Sequence, residues 1–136
     1  PIISERCVLR LQGERAEKRL QRWQEIVISA CEQSGRSVVP QVLPVLKLAD
    51  YLANKSADEL QILLSVVNKH GLQQLPASAQ SIVLMAGPEG GFSPQEETQI
   101  LSSGFVPLGL GPRVLRTETA AMTAVACLQA RWGDFN

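Results

Sequence analysis

The chain predicts an α/β domain: a mainly parallel sheet flanked by helices. Three observations carry that expectation. Short apolar runs alternate with amphipathic segments of helical period, the pattern of strand–helix units. Two successive apolar runs end in glycine-rich turns, at 87–91 and 109–112. Each turn leads towards a helix start, and in open α/β sheets ligands bind outside the carboxyl ends of strands. Both turns are therefore expected to serve one site.

The elements follow in order. Ile2 and Ile3 read as the end of a strand, with a polar exit over 4–7. From Glu14 the period becomes helical, with Leu20, Trp23, Val27 and Ala30 on one apolar stripe, and Gly35 as the residue that stops the helix. The opposite face carries Arg15, Glu17, Lys18, Arg19, Arg22 and Glu25, read as a solvated surface in preference to an RNA-facing one. Residues 38–45 are β-branched but contain Pro40 and Pro44, which lack the ladder donor, so this piece is a short edge strand or an extended connector. A short helix is expected over 47–54 and a buried strand over 60–67, followed by a loop at 68–71 and an irregular linker over 73–80. His70 has no partner at a recognisable spacing and reads as a plain loop histidine.

Residues 81–86 form the strand that feeds the first glycine turn. The helix after it has a strong start: Ser93 at the N-cap, Pro94 at N1 and Glu96 three residues after the cap, which completes a capping box. Gly104 closes it, a strand follows over 105–110, and the last helix begins near Thr117. On that helix Ala121, Val125, Leu128 and Trp132 share a stripe, while Ala120, Ala124, Ala126 and Ala130 keep the remaining surface small enough for another backbone to approach.

Size and composition limit the function classes. The 136 residues suffice for one domain with a single core, expected to span the whole chain. Formal net charge is zero, so the overall balance gives no sign of nucleic-acid binding. Cys7, Cys31 and Cys127 are scattered and there is one histidine, which argues against a metal site and fits a reduced, cytoplasmic setting. No apolar run is long enough to span a bilayer. The abrupt opening, Pro1-Ile2-Ile3, suggests a fragment of a longer protein.

Neither glycine turn matches a standard phosphate motif. The first lacks the Gly-Lys-Ser/Thr of a P-loop and the G-x-G-x-x-G spacing of a dinucleotide fingerprint. The second is richer: Arg113, Arg116, Thr117, Glu118 and Thr119 fall within seven residues of each other beside glycines. Two arginines at a helix entrance sit against the positive end of the dipole, so they are better explained by a carboxylate or phosphate that they hold. Glu89, inside the first turn, has no necessary structural role there.

Taken together, Met85-Ala86-Gly87-Pro88-Glu89-Gly90-Gly91 and Leu110-Gly111-Pro112-Arg113-Val114-Leu115-Arg116-Thr117-Glu118-Thr119-Ala120 resemble the paired signature of the bacterial ribosomal RNA small-subunit methyltransferase E family, of the SPOUT class. Arg22-Trp23-Gln24, the stretch 30–36, Val39-Pro40 and the closing 129–134 are similar too. The resemblance implies a deep C-terminal trefoil knot, a homodimer, S-adenosyl-L-methionine as cofactor and methylation of N3 of a uridine in 16S ribosomal RNA. It implies cofactor contacts from Leu84, Ala86, Gly87, Glu89, Gly90, Gly91, Leu110, Gly111, Val114, Leu115 and Thr119, with no metal. Arg116 is expected to stabilise the deprotonated uridine, Glu118 to orient Arg116, and Arg113 to hold phosphate or the second subunit. The family's small N-terminal RNA-binding domain has no counterpart here. The family's His-Pro pair after the strand at 60–67 is replaced by Asn68-Lys69-His70. Two other readings are a non-catalytic nucleotide- or RNA-binding module on the same fold, and a SPOUT enzyme that modifies another RNA position.

Overall fold

A computed structural model describes residues 1–8, 13–56, 58–67 and 70–135. Asn68 and Lys69, the first half of the loop expected over 68–71, lie outside the described residues. The chain divides into two compact units: Pro1–Ile3 with Cys7–Ala53, and Ser4–Arg6 with Asn54–Asn136.

The first unit holds strand β1 (Ile2–Ile3), helix α1 (Glu14–Ser34), strand β2 (Leu46–Lys47) and helix α2 (Leu48–Asn54). β1 and β2 pair in parallel, Ile2 opposite Leu46. Gly35 ends α1 in the left-handed conformation (φ 71°), as its position predicts. The buried position near the C-terminal end of α1 is Cys31, not Ala30, which is exposed. From Val27, four residues complete the turn more closely than three, so the stripe reaches Cys31. The proline-containing piece at 38–45 is an extended connector, and the strand pairing begins only after it, at Leu46. Gln24 holds this connector: its Nε2 donates to Pro40 O (3.0 Å) and its Oε1 accepts from Val42 N–H (2.7 Å). Glu14 and Lys18 form an exposed i, i+4 ion pair on the polar face of α1.

The second unit carries the three-stranded sheet. Strand β3 (Leu60–Leu64) lies between β4 (Ile82–Met85) and β5 (Val106–Leu108), all parallel. Helix α3 (Pro94–Ser102) connects β4 to β5, and helix α4 (Thr117–Trp132) ends the chain. β3 is buried on both faces: Ile62 and Leu63, which point to opposite sides, are 0% and 1% exposed. Ile62 packs with Leu75, Leu108 and Leu128, and Leu60, Leu84, Val106 and Trp132 close around that cluster. The expected strand over 60–67 ends at Leu64: the Ser65 N–H makes the last bond to β5, at Leu108 O (3.0 Å), and the chain then turns away. Within the expected linker at 73–80, Leu72–Gln74 forms a single 3₁₀ turn.

The inward face of α4 is rotated from the expected stripe. Ala124 is fully buried and Leu128 nearly so, whereas Val125 is half exposed. A methyl at 124 lets the helix backbone approach the core, and bulk at that position would hold it off. The last turn of α4 is tied to the 75–77 linker: Arg131 Nη2 donates to Leu75 O (3.2 Å) and Pro76 O (3.0 Å), and Trp132 Nε1 donates to Ala77 O (3.0 Å).

Candidate active site

The three parallel strands end together. Leu63 is opposite Met85, and Leu64 is opposite Leu108, so the chain leaves β3, β4 and β5 at one edge of the sheet. The segments beyond those ends, 65–67, 86–92 and 109–115, surround a cavity of about 720 Å³. Its position follows from the parallel pairing: three strand exits on one side leave a crevice that their own loops must line.

The first wall is the turn after β4. The Gly91 N–H donates to Pro88 O at 2.8 Å, and Gly91 takes φ 67°, a conformation that favours glycine. Gly87 is needed for space: a Cβ there would lie 3.2 Å from two ring carbons of Phe92. The turn ends at the predicted capping box, in which Ser93 Oγ accepts from Glu96 N–H (3.3 Å) and Glu96 Oε2 accepts from Ser93 N–H (2.9 Å). Arg6 reaches the same turn and donates through Nη1 to Gly90 O at 2.9 Å.

The second wall is the turn after β5. The Gly109 N–H donates to His70 O at 2.8 Å, which joins this exit to the segment beyond β3. Gly111 has φ 89°, and beyond it Arg113, Val114 and Leu115 border the cavity, as do Thr117 and Ala120 of α4. At the floor, Ser65 Oγ donates to Glu97 Oε1 (2.7 Å) and accepts from Val67 N–H (3.2 Å), which fixes the β3 exit to the first turn of α3. Charge on the lining is balanced: Arg6, Arg113, Glu89 and Glu97 all border the cavity. Among the described residues no cluster of three or more histidine, cysteine or acidic side chains could hold a metal.

Of the residues expected from the sequence, Ala86, Gly87, Glu89, Gly90, Gly91, Leu110, Gly111, Arg113, Val114 and Leu115 line this one cavity. Leu84 does not; it packs against the core cluster. Arg116, Glu118 and Thr119 are exposed outside the lining. Arg116 caps α4 with its backbone, its carbonyl accepting from Ala120 N–H (2.8 Å), and makes no ion pair with Glu118. Residues two apart at a helix start point in different directions, so that pairing is geometrically poor. Sequence reading did not single out Arg6, the β3 exit at 65–67, Phe92 or Glu97. The β3 exit had a usable signal, because a fully apolar run implies the central strand. Arg6 had none, since only folding brings it to Gly90.

These features have close counterparts. The family model for an RNA methyltransferase domain matches residues 1–129. The chain belongs to that family. The RNA methyltransferase domain described here is 35% identical over 136 residues to the ribosomal RNA small subunit methyltransferase E of Buchnera aphidicola (subsp. Schizaphis graminum), covering 100% of this chain and 55% of the relative. Its fold matches that of a ribosomal RNA small subunit methyltransferase E from Neisseria gonorrhoeae bound to S-adenosyl methionine, with a TM-score of 0.94 and 50% identity over 100% of this chain and 56% of the other. It also matches a methyltransferase from Legionella pneumophila in complex with the cofactor SAM (TM-score 0.93, 39% identity, 99% and 55% covered). The chain thus spans about half the length of these relatives. The resemblance carried by the two glycine motifs extends over the whole chain, and the α/β class with a parallel sheet holds.

Proposed function

We propose that this domain is the catalytic part of an S-adenosyl-L-methionine-dependent methyltransferase that acts on N3 of a uridine in 16S ribosomal RNA. The observation that carries the proposal is the single cavity where the two glycine turns meet, in a chain whose structural neighbours hold that cofactor. The residues fit the group. A Cβ built on Gly91 or Gly111 would meet nothing within 4 Å, so bare backbone borders open space at both turns. The volume of about 720 Å³ lies in the range of small-molecule sites. Ala86, Gly87, Gly90, Gly91, Leu110, Gly111 and Leu115 would hold the cofactor, largely through backbone groups and apolar contact.

When bound, S-adenosylmethionine supplies an electrophilic methyl group. The protein's own task is positioning and electrostatics. Uridine N3 carries a proton at neutral pH, so the site must favour the anion. Because it borders the cavity, Arg113 is assigned to stabilise that charge, in place of the Arg116 expected from the sequence. Arg116, exposed at the entrance of α4, is assigned to the RNA backbone, with Glu118 and Thr119 beside it. Two further features accompany the assignment. Met122, Val125 and Ala126 form an exposed apolar strip on α4, the surface for a homodimer. The family resemblance also implies a knotted C-terminal segment, which tracing the backbone after β5 through the loops around it checks. No described helix is long and apolar enough to cross a membrane, and a cytoplasmic setting goes with the ribosomal substrate.

Calorimetry with S-adenosylhomocysteine, followed by mass spectrometry of nucleosides from treated small subunits, tests the proposal. Micromolar binding and 3-methyluridine are expected. A folded protein that binds no S-adenosylhomocysteine is a binding module instead, and a different methylated nucleoside moves the enzyme to another RNA position.

A further inference from the structure

Gly90 and Gly91 are adjacent, and glycines lose more backbone freedom on ordering than other residues. The Gly91–Pro88 hydrogen bond closes this turn, but other restraints come from a segment more than eighty positions earlier. Arg6 Nη1 donates to Gly90 O at 2.9 Å and to Phe92 O at 3.4 Å. The backbone N–H of Glu5 donates to Glu96 Oε1 at 2.7 Å, while Oε2 of the same carboxylate accepts from Ser93 N–H. Ser4, which begins this strap, is buried. The Arg6 side chain also lines the cavity and packs on Gly90, where an added Cβ would lie 3.5 Å from Arg6 Cβ and 3.6 Å from Cδ.

We infer that Arg6 is a positioning residue for the cavity's ligand: its guanidinium grips the carbonyls of Gly90 and Phe92 and sets the glycine turn before the ligand arrives. Hydrogen bonds from a charged donor are stronger than neutral ones, and the two protons on Nη1 let this one nitrogen serve both carbonyls, Gly90 O the more closely. Both carbonyls are held by one side chain, so the backbone between them loses its independent motion. A preorganised turn binds more tightly because less ordering remains to be done on binding. The affinity readout rests on the cofactor reading above; the motion of the turn does not.

The experiment compares Arg6→Ala and Arg6→Lys with the unchanged chain. Amide hydrogen exchange without ligand is expected to accelerate about tenfold in Arg6→Ala at Gly91 and Ser93, whose N–H groups are bonded to Pro88 O and Glu96 Oε2, with β3 and α4 unchanged. Affinity for S-adenosylhomocysteine is expected to fall about tenfold in Arg6→Ala, with partial recovery in Arg6→Lys. Unchanged exchange at Gly91 and Ser93 overturns the positioning role whatever the ligand is. Acceleration throughout the sheet overturns it too, because Arg6 is then only a stability element. Faster exchange in the turn with unaltered affinity breaks the link to binding. If the unchanged chain fails to bind S-adenosylhomocysteine, the cofactor reading falls, and the exchange data still decide what Arg6 does to the turn.

Discussion

At Gly87 and Gly111 two different physical demands select the same residue. Gly87 has no positive φ but faces the Phe92 ring at 3.2 Å, so its constraint is space. Gly111 has φ 89° with open space around it, so its constraint is the backbone itself. The two should therefore fail differently. In Gly87→Ala the ring must shift by a few tenths of an ångström; since Phe92 lines the cavity, ligand affinity is expected to drop several-fold with little loss of thermal stability. In Gly111→Ala the strained backbone is expected to cost about 1–2 kcal/mol, seen as a lower midpoint in chemical denaturation. Calorimetry and denaturation on both variants check the contrast; identical behaviour would show that one constraint, not two, governs the site. Arg113 and Arg116 differ as sharply. Three residues apart in sequence, Arg113 lines the cavity, whereas Arg116, the N-cap residue of α4, does not.

Among the elements, α3 is the one whose start matters most to the site. Its capping box is complete, and Glu96 serves both the cap and the Glu5 N–H. Ser93→Ala is expected to cost about 1 kcal/mol and to lower the melting temperature by a few degrees. Because the N-cap is also the last residue of the glycine turn, affinity for the cavity's ligand should weaken in parallel. A melting shift without a binding change would separate the helix from the turn. Helix α1 shows how far periodicity carries: its bounds and its glycine stop were legible, but the final buried position was displaced from Ala30 to Cys31. In α4 the displacement was also one position, in the opposite direction, because hydrophobicity favours Val125 while close packing against the sheet favours Ala124.

At the scale of the whole molecule, the outward face of α4 is the surface assigned to the proposed homodimer. Met122 is 65% exposed and Val125 50%, at the i, i+3 spacing that puts them side by side. A charge on this strip should oppose association without disturbing the core. On that proposal the unchanged chain sediments as a dimer and Val125→Asp as a monomer in sedimentation velocity, with the circular dichroism spectrum unchanged. A dimer that survives the substitution moves the interface elsewhere.

The sequence by itself determined the class of fold, most strand and helix positions, and ten residues of the cavity lining, because glycine turns, a capping box and apolar period are local signals read within a few residues. It also carried the family resemblance, since the two motifs are contiguous stretches. Only the tertiary structure decided the rest. Arg6 reaches Gly90 across 84 positions, Ser65 meets Glu97 across 32, and Leu84 turns into the core and away from the cavity. Those placements depend on parallel strand register and on how closely α4 approaches the sheet. Such contacts join segments distant in the chain, and no local pattern encodes which side of a strand end a later loop will cover.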